Sequence, residues 1–325
     1  MREFFEGYHV TPQDVYSKKA TVTGLAVQAD LLKGYRTDPE RERLLVPALG
    51  RLSFINSRRW IRFLQAILPQ IRMGKGMSAK GMSAKGMSAK GVSAPTLSAV
   101  ERTMLVMFYY TLWGKGLDDL SKRFASIEEA IYWLIDDPLL YSELMDLLEY
   151  QYLKIDFVDK PLAELAQLEK AIPLDLYCSY TLEQILAALG KHTEKRKSPF
   201  REGVLYLADQ QLDVFFVTLN KSEKDYSPST LYQDYSINEE LFHWQSQSRT
   251  TEESITGQRY INQSVNGGNV LFFVREYKKE ASFASPFTCL GFADYQSHYG
   301  SAPISIVWKM KVPMPGFVMK KTVKV

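Results

Sequence analysis

The spacing of apolar residues in this chain changes once, near residue 200, and that change limits the folds open to it. Before it, segments such as DLLKGYRTDPERERLLVPALGRL and SRRWIRFLQAILPQI place Leu, Ile, Trp and Phe every three or four residues with Arg between them. That is the pattern of amphipathic helices with a basic outer face. After it, GVLYLA, DVFFVTLN, LFHWQSQS, NVLFFVRE, FTCLGFADY and ISIVWKMK are short β-branched and aromatic runs at a period of two, separated by turn residues such as SPST, NGG and SAP. Six strands preceded by helices predict an α+β chain, a helical N-terminal part followed by a β-rich, barrel-type domain, rather than an alternating parallel sheet. At 325 residues and 46% hydrophobic content the chain is long and apolar enough for more than one packed core.

Local signals divide it further. Residues 1–73 read as a basic helical segment, 74–96 as a spacer, 97–173 as a helical connector and 174–325 as the β-rich domain. In the connector, Ser98 with Glu101 forms a capping box and Gly114 stands where that helix should stop; Thr181 with Gln184 and Gly190 repeat the arrangement. The spacer contains GMSAK three times before degrading to GVSAP. Glycine at every fifth position fits neither the helical nor the strand period, so flexibility is expected there. GMSAKG also matches the glycines of a phosphate loop, but Met follows where Lys is required and no strand precedes it.

Charge is unevenly distributed. Residues 1–100 hold 16 Lys and Arg against 7 Asp and Glu, residues 101–160 hold 6 against 12, and the remainder is balanced. A basic segment beside an acidic one means either affinity for nucleic acid or two helical layers that pair with each other. Cys178 and Cys289 lie far apart without metal-ligand spacing, and MREFFEGYHV has no apolar run of the signal-peptide kind. The most apolar window, VMFYYTLW, is too short to span a bilayer. A reduced, cytoplasmic setting with no membrane partner is expected.

Catalytic signatures are sparse. The four histidines are scattered, and neither HExxH nor GxSxG occurs, so no metal or cofactor is expected. One constellation has catalytic form: Glu276 and Lys278 at the end of NVLFFVREYK, which with an upstream Asp213, Asp225 or Asp234 resembles the divalent-metal grouping of nucleases. The bland alternative is a solvated strand end.

The stretch LFHWQSQSRT offers a recognition surface instead. As one continuous strand it would align His243, Gln245, Gln247 and Arg249 on one face. Gln and Arg make paired contacts to base edges, whereas edge strands left to solvent more often carry Lys or Glu. Nearby segments add Asn220, Lys221, Tyr232, Asp234, Tyr235, Trp244, Gln258, Arg259, Tyr260 and His298. Carboxylates among them accept from an amine such as cytosine N4, and the rings suit stacking on an extruded base.

Several of these stretches resemble one family. VTLNKSEKDYSPSTLYQDYSINEELFHWQSQSRT, TGQRYI, VLFFVRE and CLGFADYQSHYGSAPISIVWKMKVPMP resemble the C-terminal domain of unknown function found on bacterial superfamily-two helicases, often fused to a phospholipase-D-type nuclease, as in SauUSI-like modification-dependent (type IV) restriction enzymes. Segments LVPALGRLSFIN and LLYSELMDLLEY resemble the helical region joining helicase to that domain. The resemblance implies an SRA/PUA-like barrel that reads 5-methylcytosine in DNA, with a helicase or nuclease polypeptide as partner. The sequence itself carries no phosphate loop, DEAD-type box or HxK nuclease motif. The expectation is therefore a non-catalytic DNA-recognition module. A nuclease built on Glu276 and Lys278, and a helicase remnant serving as a protein-docking scaffold, are its alternatives.

Overall fold

A computed structural model of the chain describes residues 2–79, 96–120, 123–164, 171–220, 234–280 and 282–322. The GMSAK repeats beyond Ala79, and the candidates Lys221, Asp225 and Tyr232, lie outside these residues. The chain forms two compact units, one of residues 1–158 with 181–199 and one of residues 159–180 with 200–325.

The first unit is helical: α1 (Arg2–Gly7), α2 (Pro12–Ser17), α3 (Val22–Gln28), α4 (Pro39–Leu52), α5 (Arg58–Ala79), α6 (Ala99–Trp113), α7 (Ile127–Ile135), α8 (Pro138–Leu153) and α9 (Leu182–Ala188). The expected caps are present. Ser98 and Glu101 close a capping box at the start of α6, Gly114 ends it at φ 64°, and Thr181 with Gln184 caps α9. α5 runs past Gly74 into the first GMSAK unit. A helix already nucleated by the buried Trp60, Leu64 and Leu68 extends cheaply into helix formers such as Met and Ala. Its Trp60 is fully buried and donates from Nε1 to the Met104 carbonyl at 3.1 Å.

Part of the segregated charge is paired inside this unit. Arg41 meets Asp136 at 3.4 Å and Arg123 meets Glu40 at 2.8 Å. Arg72 stacks on Tyr141 at 4.6 Å and Arg62 on Tyr152 at 5.1 Å. Arg102 makes two bonds to Glu194, at 2.6 and 2.7 Å, and also pairs with Glu128. Arg41 with Asp136, and Arg62 and Arg72 on tyrosines of the following segment, join the basic stretch to the acidic one.

The second unit is built on an eight-stranded mixed sheet. Its strands are β1 (Ser179–Tyr180), β2 (Val204–Leu207), β3 (Leu212–Thr218), β4 (Tyr235–Ser236), β5 (Leu241–Gln245), β6 (Asn269–Arg275), β9 (Phe287–Tyr299) and β10 (Ser305–Met310). A separate two-stranded sheet pairs β7 (Lys279–Glu280) with β8 (Phe283–Ala284), and the described residues add two α-helices, α10 (Ile255–Ile261) and α11 (Gly316–Thr322). The order is β2-β3-β6-β9-β10-β5-β4 with β1 added to β9. β3 and β6 run parallel and the other pairs are antiparallel. The α+β class is as the hydrophobic periods predict. The barrel-type closure is not formed by the described strands: the sheet is open, ending at β2 on one side and β4 on the other. Phe215 lies at the centre of its core, stacked on Trp244 at 4.1 Å and edge-on to Tyr260, Phe272 and Trp308.

Candidate nucleic-acid interface

The polar half of LFHWQSQSRT is not a strand. β5 ends at Gln245, and Ser246 to Thr250 form a turn, so the alignment of His243, Gln245, Gln247 and Arg249 along one strand face is corrected. The reason is a non-local set of hydrogen bonds. Ser246 is fully buried, its N–H donating to the Ile304 carbonyl and its Oγ accepting from the Ile304 N–H, both at 2.9 Å. The Thr250 N–H turns back to the Gln247 carbonyl at 2.9 Å, and the Thr250 carbonyl accepts from Ala302 at 3.1 Å. The amides and hydroxyls hold a loop in place. Arg249 alone in this segment is exposed.

Other candidates also have structural employment. Trp244 and Tyr260 are packed on Phe215 and each other, 5% and 0% exposed, so neither ring has a face open to a base. Arg259 is held by two bonds to Asp213, at 2.8 and 2.9 Å, and lies over the Tyr206 ring at 3.9 Å. Burial opposes its charge, but the bonds to Asp213 outweigh that and keep its pKa above the ordinary value. Asp234 is buried and accepts from the Gln245 N–H at 3.0 Å, tying the segment before β4 to the end of β5. Gln258 is exposed and donates to the Glu252 carbonyl, while Asn220 is exposed beside the end of β3. His298 turns toward the Tyr295 hydroxyl and toward Glu252 at 3.3 Å.

What the sheet does bring together is a different subset. In register, Tyr235 of β4 lies opposite His243 of β5, and His243 opposite Val307 of β10; in the next row Gln245, Ser305 and Tyr299 are neighbours across β5, β10 and β9. The Tyr235 and His243 rings stack at 4.8 Å with an interplanar angle of 21°. The Tyr299 hydroxyl reaches His243 Nε2 at 3.4 Å, and the Gln245 amide donates to Ser305 Oγ at 3.2 Å. Tyr299 is 63% exposed, with Gln296 and Ser297 exposed on the same strand. His243 and Ser305 are themselves buried, at 4% each, as are Phe242, Trp244, Ile306 and Trp308 on the opposite face, so Tyr299 is the exposed ring of the row. Strand alternation could have singled out Tyr299, next to His298 in SHYGS. Its pairing with Ser305 and Gln245 could not be read without the register.

Residues 174–321 match the model of a domain of unknown function (DUF3427). The match contains the whole face, from Tyr235 to Ser305. No curated protein matches the chain.

The nuclease grouping is not assembled among the described residues. β3 and β6 are parallel with Asp213 beside Val270 and Thr218 beside Arg275, so Asp213 lies far along the strand from Glu276 and is already paired with Arg259. Asp234 is committed to Gln245. A grouping that spacing did not reveal is Asp159, Asp175 and Cys178, whose ligand atoms lie within 4.8 Å of one another. Burial, with a contribution from the two carboxylates, pushes the Cys178 thiol well above its ordinary range, so the thiol is neutral. Burial likewise pushes up Cys289.

Proposed function

We propose that the C-terminal unit is a nucleic-acid-recognition module without chemistry of its own, serving a helicase-linked restriction system and reading cytosine-modified DNA. The observation that carries this reading is the exposed Tyr299, set on one sheet face beside the half-buried Tyr235 and Gln245 and backed by the buried His243 and Ser305. An exposed ring on a sheet, here Tyr299, stacks on an unpaired base, and a neighbouring amide such as that of the half-buried Gln245 reaches a base edge. Further support comes from the matched domain, which is known in helicase-associated proteins. The resemblance of the same segments to modification-dependent restriction enzymes points the same way, and on it the sheet is the counterpart of an SRA/PUA-like reader. A helicase or nuclease on another polypeptide would be the partner.

The test is titration of the full chain with matched methylated and unmethylated duplexes at fixed salt. The methylated duplex should bind more tightly, and Tyr299→Ala should weaken binding by about 1–3 kcal/mol, the usual worth of one base–aromatic stack. Equal affinity for the two duplexes, unaltered by Tyr299→Ala, would remove modified-base reading from this face.

A further inference from the structure

The end of β6 carries Glu276, a residue that the Tyr235–His243–Tyr299 face leaves unused. A cavity of about 340 Å³ opens there, lined among others by Leu219, Val274, Arg275, Glu276, Tyr277 and Ser285. Small-molecule sites begin at about 300 Å³. The backbone fixes its polar edge. The Leu219 N–H donates to the Arg275 carbonyl at 3.0 Å and the Asn220 N–H to the Glu276 carbonyl at 2.9 Å, so β3 holds the end of β6 rigidly. Arg275 is anchored by Nε to Thr218 Oγ1 at 3.0 Å and lies over the Phe287 ring at 4.4 Å. It is a fixed positive edge. Glu276 is half-buried, Tyr277 is 53% exposed, and the buried Ser285 hydroxyl has no hydrogen-bond partner among the described residues.

This set has the complement of one kind of ligand. Leu219 and Val274 offer apolar walls to a flat ring, Tyr277 offers an exposed ring to stack on, and guanidinium and hydroxyl donate to ring acceptors. The carboxylate decides the rest. It accepts from an exocyclic amine and repels a carbonyl oxygen, so it favours cytosine or adenine over uracil. We propose that this cavity binds an amine-bearing nucleobase, with Glu276 accepting from its amine. The inference rests on the nucleic-acid reading above and adds a second contact, on different residues from the sheet face.

The base can come from a free nucleotide or from an unpaired position in DNA, and the experiment separates them. The full chain is titrated with cytidine, adenosine and uridine 5′-monophosphates, and with a duplex carrying one unpaired cytosine against its fully paired counterpart. The cytidine or adenosine nucleotide should bind at least about fivefold more tightly than uridine, the lower end of what one good base contact discriminates. Glu276→Gln, a half-exposed change that keeps the fold, should erase that preference, and Tyr277→Ala should weaken all three. Preference for the unpaired-cytosine duplex, lost in Glu276→Gln, assigns the cavity to an extruded base. The same loss seen only with mononucleotides assigns it to a free nucleotide. Binding indifferent to Glu276→Gln in every arm overturns the proposal, while duplex binding that still falls with Tyr299→Ala leaves the sheet-face reading standing.

Discussion

Trp244 and Tyr299 show how residue type alone misleads. Both are aromatic and both lie beside polar sequence, yet Trp244 is stacked on Phe215 at 4.1 Å and Tyr299 is 63% exposed. Trp244→Ala should therefore cost about 3–5 kcal/mol of stability, as large-to-small changes in a core do. Tyr299→Ala should stay within about 0.5 kcal/mol of the parent. Urea unfolding of the two variants checks this, and a reversed order would mean that the roles are exchanged. Glu183 gives a second residue-scale expectation. Burial raises its pKa, but bonds to His192 and Lys197, at 2.6 and 2.8 Å, outweigh that and leave it below the ordinary 4.5. A carboxyl with a depressed folded pKa stabilises the fold above its unfolded pKa and stops doing so as pH falls through the folded one. Thermal unfolding followed from pH 6 down to about 3 should show the parent losing its advantage over Glu183→Gln once the pH drops below 4.5. A constant gap across that range would contradict the pairing.

At the scale of elements, what was legible in the sequence was local. The caps at Ser98 and Thr181 depend on residues three positions apart, and Gly114 needs only its own φ of 64°, so all three could be read directly. Strand existence followed from period and composition in the same way. The end of β5 was not legible, because the partner that stops it is Ile304, far away in sequence. Ser246 donates and accepts there in place of a strand neighbour. Its replacement by Ala leaves the Ile304 N–H buried without an acceptor, which should cost about 1–3 kcal/mol. Ser246→Thr keeps the hydroxyl and should recover part of that loss. Equal stability of Ser246→Ala and the parent, in denaturant titration, would show that the turn is held by something else. The candidate site divides along the same line. Tyr235, His243 and Gln245 were named because polar and aromatic residues crowd LYQDYS and LFHWQSQS, whereas Tyr299 and Ser305 join them only through strand register.

Charge is a property of the whole molecule, and its distribution decides which surface meets a phosphate backbone. The N-terminal hundred residues carry an excess of nine positive charges, which in isolation would suggest the DNA footprint. Within that stretch, however, Arg41 is paired with Asp136, and Arg62 and Arg72 lie on tyrosine rings. Releasing them to phosphates would mean breaking contacts already made. Among the described residues the sheet face has few cations: Arg249 is exposed, and Lys309 lies 3.6 Å from Glu240. Each phosphate neutralised contributes about −0.9 to the slope of log affinity against log salt. Binding through the sheet face should thus give a shallow slope, about −1 to −2, shared between stacking and one or two phosphate contacts. Arg249→Ala should flatten it by about 1, while Arg62→Ala, whose guanidinium is stacked on Tyr152, should leave it unchanged. A slope of about −6 or steeper, insensitive to Arg249→Ala but reduced by Arg62→Ala, would move nucleic-acid contact from the sheet to the helical unit.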